Sequence, residues 1–393
     1  MRIGIYGGSF NPPHIGHIRG AEHAMAALGL DKLLLIPTNT SPGKKSAARI
    51  VTGQQRLEML QLAAPEDPRF EVSDIELRRG GFSYTHETLE QVHSLYPQAE
   101  LVLIMGTDMF LSLPDWQYAD EVCSLASIAV LYRGHKGEVR SIGQQAEVMQ
   151  QRGTTVYLID NPTIPISSTD LRRMLVFQCA EAFLHPNVTA YIRNNGLYGT
   201  AGNLKGLTEE KLEQQVVALL KENRVAHVLG CRDTAVALAE KWGADVTHAA
   251  RAALLHDITK ALDGPLQLTL CDAYGIILDN FSAHNPKTLH ALTGSLVADR
   301  IFGEAPEIVA AIRSHTTGKA DMNMLEKIIY VADYMEPNRD FPGVEKLREL
   351  AFTDMDEALK LGLNMTLAML KEQGKEISPE SQEALEFLEK EKG

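Results

Sequence analysis

The change in hydrophobic periodicity near residue 204 is the feature that most constrains how this chain folds. Before it, short apolar runs alternate with amphipathic stretches, a pattern typical of parallel strands connected by helices. This pattern predicts an α/β doubly wound parallel sheet of the Rossmann-like type for the first part of the chain. The clearest strand candidates are Arg2 to Gly7, Lys32 to Thr38, Glu100 to Gly106, Ser127 to Arg133 and Thr154 to Asp160.

The remainder of the chain has a different pattern. From Thr208 onward it shows long stretches with a 3.6-residue period, such as Glu209 to Leu220 and Ala249 to Ile258, which predict an all-α domain. Glycines accumulate between Gly196 and Gly202, as in a linker or a late loop. The length of 393 residues and the 45% hydrophobic content suit two domains. We therefore expect domains at residues 1–203 and 204–393.

Composition excludes several classes of protein. The formal net charge of -13 opposes non-specific nucleic-acid binding, which needs a basic surface. No apolar run approaches the ~18 residues that span a bilayer, and the N-terminal residues lack the apolar core of a signal peptide. We expect a cytoplasmic protein with no nucleic-acid or membrane partner, and the sequence leaves the oligomeric state open, a homo-oligomer included.

Cysteine spacing argues against a disulfide framework or a cysteine zinc site. The chain contains no C-x-x-C pair, and its four cysteines are widely separated. We expect buried thiols at Cys123, Cys179, Cys231 and Cys271.

A glycine-rich string follows the first predicted strand and opens a predicted helix. It reads Gly7-Gly8-Ser9-Phe10-Asn11-Pro12-Pro13-His14-Ile15-Gly16-His17. Glycines allow backbone amides to approach an anion, and the positive end of the helix dipole faces the same point. His14 and His17 share one helix face and can donate hydrogen bonds to phosphate oxygens. A tight turn with surface histidines, or a zinc pair, is the alternative, whereas dinucleotide and P-loop signatures are absent from the sequence.

A second string, Ile166-Ser167-Ser168-Thr169-Asp170-Leu171-Arg172-Arg173, follows the last predicted strand. Alone it could be an ordinary helix cap with a solvated arginine. Together the two strings resemble the H-x-G-H and I-S-S-T-x-x-R signatures of the nucleotidylyltransferase superfamily. The resemblance implies catalytic roles for His14, His17 and Arg172, with Mg²⁺ as cofactor. It also implies that ATP is bound by Gly8, Ser9, Phe10, His14, His17, Ser168, Thr169 and Arg172.

The middle of the first domain indicates the acceptor. The strings Val72 to Leu77, Phe82 to Thr85, Gly106 to Asp108 and Leu113 to Trp116 are similar to bacterial nicotinate mononucleotide adenylyltransferases, and the similarity covers nearly all of residues 1–198. It implies that Trp116 stacks on the pyridine ring, Thr85 lies by its carboxylate and Asp108 approaches the ribose. The implied acceptor contacts are Lys44, Tyr84, Thr85, Gly106, Asp108 and Trp116.

One position departs from the family pattern. The family often reads P-H-K where this chain has Pro42-Gly43-Lys44, so a histidine contact to phosphate is replaced, and Lys44 and Lys45 could compensate. The rival acceptor is another phosphorylated molecule, such as phosphopantetheine, because H-x-G-H chemistry is shared.

In the helical half, His227, the dipeptide His256-Asp257 and Asp333 occur in the order H…HD…D. Buried imidazoles and carboxylates on facing helices need partners, and a divalent metal supplies one. His290 and His315 add enough ligands for a second metal that shares Asp257. Surface or helix-capping histidines are the alternative for these two.

The strings around these residues resemble HD-superfamily hydrolases that cleave diadenosine tetraphosphate symmetrically, over roughly residues 205–390. The resemblance implies two divalent transition-metal ions, with iron or manganese favoured although cobalt and zinc also suit the ligands. Asp257 would bridge the ions as a catalytic residue, and Lys260, Arg339 or both would meet the polyphosphate. The rivals are another HD nucleotidase, a cyclic-nucleotide phosphodiesterase and a non-catalytic nucleotide sensor. The implied metal ligands are His227, His256, Asp257, His290, His315 and Asp333.

Overall fold

The computed structural model describes residues 1–42, 51–132, 136–161, 164 and 166–390. Chain contacts divide the protein into two compact units, Met1–Gly202 and Asn203–Gly393. Lys44, with the neighbouring Gly43 and Lys45, lies outside the described residues, so the acceptor contact expected of it stays a prediction.

A parallel sheet forms the centre of the first unit. Over the described residues it has six strands in the order β3-β2-β1-β4-β5-β6, and every neighbouring pair is parallel. This confirms the doubly wound sheet. It also adds one strand, β3, which the sequence did not predict. The strands are β1 Arg2–Gly8, β2 Lys32–Pro37, β3 Phe70–Val72, β4 Glu100–Gly106, β5 Ser127–Tyr132 and β6 Val156–Asp160.

Helices cover both faces of this sheet, which explains why its strands are almost continuously apolar. Leu33 and Leu35 of β2 belong to the core beneath α1 and α2, while Leu34 and Ile36 point into the core beneath α4 to α7. The helices are α1 Ile15–Leu28, α2 Gly53–Ala63, α3 Ile75–Arg79, α4 Thr85–Leu95, α5 Thr107–Ser112, α6 Ala119–Leu125, α7 Lys136–Gln151, α8 Ser168–Val176 and α9 Pro186–Asn194, with 3-10 turns at Leu113–Asp115, Glu181–Phe183 and Leu197–Gly199.

The strand order reverses between β1 and β4. These two strands are neighbours in the middle of the sheet, and the chain proceeds outward from them in opposite directions. In open α/β sheets, ligands bind at such a reversal, outside the carboxyl ends of the strands. Gly8 and Gly106, which end β1 and β4, therefore mark the expected position of a ligand cleft.

The second unit is helical, as predicted, and its described residues contain no strand. Helix α11 packs against α12 and α17, and α16 packs against α12, α15 and α17. Across the described residues of both units, none of the helices has the length and apolarity required to cross a bilayer. The helices are α10 Glu209–Leu219, α11 Glu222–Trp242, α12 Val246–Leu255, α13 Gly264–Ala273, α14 Asn280–His284, α15 Leu289–Val297, α16 Pro306–Ser314, α17 Met324–Met335, α18 Val344–Ala351, α19 Met355–Glu372 and α20 Pro379–Lys390, with a π-helical turn at Ala298–Phe302.

The cysteines are free thiols. Cys179, Cys231 and Cys271 are buried, whereas Cys123 is only partly buried, so the expectation of four buried thiols was wrong at that position. Cys123 follows Val122 on the short helix α6, and it packs at the margin of the core rather than inside it.

Candidate functional site

The loop after β1 brings two histidines together at the start of α1. The backbone N–H of His14 donates to Nδ1 of His17 at 3.2 Å, and the ring centroids lie 3.6 Å apart. Because Nδ1 is an acceptor, a neutral His17 carries its proton on Nε2. Burial, with a contribution from His14, lowers the pKa of His17 well below its usual value. His17 is therefore a neutral imidazole whose Nε2–H is a hydrogen-bond donor.

Gly16 and Phe10 fit closely around this pair. A Cβ at Gly16 would lie 3.0 Å from Nδ1 of His14, so the third position of H-x-G-H leaves room for that ring. Phe10 is completely buried and packs edge-on against His17, with ring centroids 5.1 Å apart. Its side chain supports His17, which leaves only its backbone for a nucleotide contact. Gly8 lies just beneath, where a Cβ would come within 3.3 Å of the Phe10 ring.

The N-terminus of α8 lies against the same loop. Arg172 donates from Nη1 to the carbonyl oxygen of Asn11 at 2.8 Å and from Nη2 to Oγ1 of Thr169 at 3.0 Å. Ser168 donates from Oγ to the carbonyl oxygen of Pro12 at 3.3 Å. Burial lowers the pKa of Arg172. The two strings, which the hydrogen bond from Arg172 to Asn11 joins across 161 residues, thus form one site rich in hydrogen-bond donors and containing a cation.

Two side chains that sequence reasoning missed hold the loop in place. Tyr198 is buried and donates from its hydroxyl to Oδ1 of Asn11 at 2.5 Å, and Arg56, also buried, donates from Nη1 to the carbonyl oxygen of Ser9 at 2.8 Å. The glycine-rich segment read as a linker or late loop therefore contains a residue packed against the site. Neither contact has a local sequence signal, because each joins residues that are distant in the chain.

Those predicted acceptor residues that the structure describes lie on the elements that follow β4 and at the start of α4. Gly106 is the N-cap of α5, where both it and Asp108 are exposed. Trp116 is half-buried, and its Nε1 donates to Oγ of Ser112 at 3.2 Å. One face of Trp116 packs on the core, so the indole position is fixed.

Tyr84 and Thr85 begin α4 beside this segment. Tyr84 is the N-cap, and its ring lies edge-on to Tyr118, with centroids 5.4 Å apart. His86 also lies against Tyr118, at 3.9 Å between centroids. The contacts with Tyr118, two residues after Trp116, connect the start of α4 to the acceptor segment.

In the second unit, five helices contribute the predicted metal ligands to one buried cluster. His227 lies on α11, His290 on α15 and Asp333 on α17, whereas His256 and His315 end α12 and α16. All four imidazoles and Asp257 are buried, and Asp333 is partly buried.

Every imidazole in this cluster is oriented through its Nδ1 atom. For three of the imidazoles the partner is the backbone carbonyl oxygen of the residue three positions earlier, and for the fourth imidazole it is a carboxylate oxygen. Because these oxygens only accept hydrogen bonds, Nδ1 is the protonated nitrogen and Nε2 presents a lone pair. The contacts are His227 to Oε1 of Glu336 at 3.1 Å, His256 to Ala253 at 2.6 Å, His290 to Lys287 at 2.8 Å and His315 to Ile312 at 2.7 Å.

Asp257 lies between two pairs of imidazoles. Its Oδ2 atom is 3.7 Å from Nε2 of His227 and 3.6 Å from Nε2 of His256. Its Oδ1 atom is 3.4 Å from Nε2 of His290 and 3.8 Å from Nε2 of His315. One carboxylate oxygen thus faces each pair. Asp333 joins the first pair, with Oδ1 at 3.0 Å from Nε2 of His227.

This arrangement fits two divalent cations. Within each pair the Nε2 atoms are only 3.3 Å apart for His227 and His256, and 3.2 Å apart for His290 and His315. Two lone pairs at that distance repel unless a cation lies near both. Burial lowers the pKa of His256 and His290 well below the usual value and that of His315 to about 4, so neutral ligands are available at neutral pH.

Three partly exposed cations surround the cluster. The Nζ atom of Lys260 lies 3.0 Å from Nε2 of His290, and Arg339 donates from Nη2 to Oδ1 of Asp333 at 2.8 Å. Arg224, to which the sequence assigned no role, contacts Oδ2 of Asp257. Burial lowers the pKa of Lys260 to about 8. Arg224 precedes His227 by one helical turn, and this spacing in the sequence indicates that Arg224 shares a helix face with that predicted ligand.

Glu336 is the fully buried partner of His227. It also accepts hydrogen bonds from the backbone and the side-chain nitrogen of Asn338, both at 2.8 Å. Gly230 on α11 permits this approach, since a Cβ there would lie 2.5 Å from Oε2 of Glu336. The carboxylate thus fixes the ring plane of His227, a predicted metal ligand, through Nδ1.

Comparisons with known proteins follow the division into two units. The Cytidylyltransferase-like family model matches residues 5–174, and the HD domain model matches residues 224–338. Two relatives, each named probable nicotinate-nucleotide adenylyltransferase, align with the first half. The one from Desulfitobacterium hafniense is 36% identical over 95% of its own length and 50% of this chain. The one from Oceanobacillus iheyensis is 37% identical over 98% of its length and 51% of this chain. The chain belongs to the nicotinate-nucleotide adenylyltransferase family.

An HD domain follows the adenylyltransferase region in this chain. The two relatives align with the first half of the chain alone, over nearly all of their own length. A solved structure of a predicted HD superfamily hydrolase involved in NAD metabolism, from Clostridium acetobutylicum, is 35% identical, with a TM-score of 0.46, and covers 47% of this chain and 98% of its own. A Plasmodium falciparum nicotinic acid mononucleotide adenylyltransferase complexed with NaAD is 18% identical, with a TM-score of 0.41, over 51% of this chain and 98% of its own.

Proposed function

We propose that residues 1–203 transfer the adenylyl group of ATP to nicotinate mononucleotide and release pyrophosphate and nicotinate adenine dinucleotide. The observation that carries this proposal is the contact between Arg172 and Asn11 at 2.8 Å, which joins both phosphate-binding strings at the carboxyl end of β1. The names of the family relatives support the same acceptor.

The reaction requires no protein nucleophile. An oxygen of the acceptor phosphate attacks the α-phosphorus of ATP, the bond from that phosphorus to the α,β-bridging oxygen breaks, and its electrons leave with pyrophosphate. Positioning and charge stabilisation then supply the catalysis. Mg²⁺ bound with ATP would neutralise part of the phosphate charge. His17, through its Nε2–H, and Arg172 would stabilise the charge that develops on the phosphates, together with His14.

The remaining contacts divide between the two substrates. Gly8, Ser9 and the backbone of Phe10 would bind ATP phosphates, as would Ser168 and Thr169 at the start of α8. Trp116 would stack on the pyridine ring. The other acceptor contacts would come from Lys44, Tyr84, Thr85, Gly106 and Asp108.

Initial rates with a panel of acceptors test this function. ATP and Mg²⁺ are held constant while nicotinate mononucleotide, nicotinamide mononucleotide and phosphopantetheine are compared. The expected preference is for the first, and a preference for either of the others contradicts the proposal. Trp116→Ala should raise the KM for the acceptor more than it lowers kcat, because stacking contributes to ground-state binding.

We further propose that residues 204–393 hydrolyse diadenosine tetraphosphate symmetrically to two ADP. The observation that carries this is the position of Asp257, with one oxygen toward each pair of imidazoles. Two metal ions bridged by a carboxylate bind a phosphate between them and activate a water molecule that hydrolyses it. Arg224, Lys260 and Arg339 give the rim of this centre a positive charge that suits a chain of several phosphates rather than a single one.

Each residue of the centre has an expected role. Two divalent ions, iron or manganese by preference, would lower the pKa of a water and neutralise phosphate charge. Asp257 would be shared between them. Lys260 and Arg339 would bind the polyphosphate at the solvent-exposed side of the centre, and Arg224 would also contact the polyphosphate there. His227, His256 and Asp333 would hold one ion, and His290 and His315 the other.

Product analysis of the full-length chain tests the second function. The protein is reconstituted with Fe²⁺ or Mn²⁺ and incubated with diadenosine tetraphosphate in the absence of nicotinate mononucleotide. ADP as the sole nucleotide product is expected, whereas ATP plus AMP contradicts symmetrical cleavage. Bound metal without turnover would favour the nucleotide sensor. His17→Ala should retain hydrolysis and Asp257→Ala should lose it, which assigns the activity to the second unit.

A further inference from the structure

Three aromatic rings lie in a row beside the cluster of metal ligands. Tyr330 and Tyr334 stack with their ring planes 10° apart and their centroids 6.4 Å apart, and Phe341 lies edge-on to Tyr334 at 5.2 Å. Tyr330 is buried, whereas Tyr334 and Phe341 are only partly buried. The row therefore starts in the core and ends at the surface.

The turn between the two half-buried rings is fixed by Arg348. Its Nε atom donates to the carbonyl oxygen of Met335 at 3.0 Å, and Nη2 donates to the carbonyl oxygens of Glu336 at 3.0 Å and Arg339 at 2.9 Å. Three main-chain carbonyls of one turn are thus held by a single guanidinium. The rings consequently have a defined position relative to the end of α17.

The same turn connects the rings to phosphate-binding chemistry. Tyr334 directly follows Asp333, and Phe341 lies two residues after Arg339. Arg339 donates from Nη2 to Oδ1 of Asp333 at 2.8 Å and from Nε to its carbonyl oxygen at 3.0 Å. Arg339 and Phe341 therefore belong to one short turn, which places a cation and an aromatic residue close together in the chain, as binding of a phosphate attached to a planar base requires.

We propose that Tyr334 and Phe341 form a stacking subsite for one purine base of the nucleotide whose phosphates are bound at the adjoining centre. The inference rests on the hydrolase function proposed for this unit. Stacking of a base on an aromatic side chain contributes about 1–3 kcal/mol and accepts any base, since every base has a π-face. Such a subsite would favour binding of a nucleoside polyphosphate over that of an inorganic polyphosphate.

Inhibition of diadenosine tetraphosphate hydrolysis by ADP and by pyrophosphate tests the subsite. The two inhibitors share a diphosphate group and differ in the nucleoside. In Tyr334→Leu and Phe341→Leu full-length protein, the Ki for ADP and the KM for diadenosine tetraphosphate should rise about fivefold to tenfold, as expected from loss of one stacking contact. The Ki for pyrophosphate and the metal content should stay unchanged.

Two control variants separate stacking from folding. Tyr334→Phe keeps a ring and should restore the KM, and Phe352→Leu removes an aromatic residue that is 38% exposed elsewhere in the unit. Parallel rises in both Ki values, or no rise in either, would overturn the subsite. If wild-type protein fails to hydrolyse diadenosine tetraphosphate, the proposed function itself fails, and that result is distinct from any result with the variants.

Discussion

The guanidinium of Arg172 donates to the carbonyl oxygen of Asn11 at 2.8 Å, across 161 residues of sequence. This hydrogen bond joins the first turn of α8 to the loop that follows β1. It fixes the guanidinium against the loop that leads to His17, while the second nitrogen of the guanidinium donates to Oγ1 of Thr169. The loop and the cation therefore depend on each other for their positions.

Arg172→Lys should lower kcat for adenylyl transfer by on the order of 10²-fold, because lysine keeps the charge but cannot contact Asn11, Thr169 and a phosphate in one plane. The measurement is steady-state kinetics with nicotinate mononucleotide. Arg152→Lys, at an exposed position, is the matched control. An Arg172→Lys enzyme with normal kcat would show that charge alone is sufficient.

Gly16→Ala should reduce adenylyl transfer without unfolding the first unit. A Cβ at this position would lie 3.0 Å from Nδ1 of His14, so the ring must shift, and a small displacement of a catalytic group costs up to about 10²-fold in rate. Gly143→Ala on α7 meets no atom within 4 Å and serves as the control. If Gly16→Ala changes neither kcat nor the midpoint of thermal unfolding, the position of the His14 ring does not matter for the reaction, which contradicts the role proposed for His14.

The pH dependence of adenylyl transfer should show no contribution from His17 near neutrality. Its pKa lies well below 6.5 because burial disfavours the imidazolium, so the ring stays neutral as pH falls from 8 to 6.5 and gains a proton only at lower pH. The rate profile of kcat is measured in wild type and in His17→Asn. A limb present in both proteins belongs to the acceptor phosphate, whose second pKa is about 6. A limb near 6.5 that disappears in His17→Asn would contradict this prediction.

The sheet could be predicted because its strands are buried on both faces and read as apolar runs. Five of the strands were recognised in this way. Strand β3 escaped because it is three residues long and its residues Phe70, Glu71 and Val72 are only partly buried or exposed. An element that short carries no measurable period, and its pairing with β2 becomes visible only in the folded sheet.

The candidate sites could be predicted to a similar extent. Histidines and carboxylates at motif positions could be recognised from residue type, and the structure brings those of the second unit together. The contacts that support them could not be recognised, since Tyr198 contacts Asn11 across 187 residues and Arg224 contacts Asp257 across 33. Such contacts depend on how helices pack, and the sequence period specifies the buried face of a helix but not its partner.

The most direct test of the proposed metal centre concerns Glu336, whose buried carboxylate contacts His227, a predicted metal ligand. The carboxylate accepts the Nδ1–H of His227 at 3.1 Å and so fixes the ring and increases the basicity of Nε2. Glu336→Gln keeps the shape and an acceptor oxygen but removes the charge. Loss of such a partner weakens metal binding by about 10- to 100-fold. Metal content under a competing chelator should therefore fall, and hydrolysis of diadenosine tetraphosphate should fall with it.

Two further measurements separate this effect from a general loss of stability. Excess metal should restore hydrolysis in Glu336→Gln, whereas adenylyl transfer should remain at the wild-type rate throughout. Glu326→Gln is the matched control, because Glu326 is an equally buried glutamate that caps the N-terminus of α17, whereas Glu336 caps the C-terminus of this helix and contacts His227. Equal metal loss in both variants would indicate that α17 is destabilised as a whole. Full metal content in Glu336→Gln together with lost hydrolysis would instead assign Glu336 a role in the reaction beyond orienting His227.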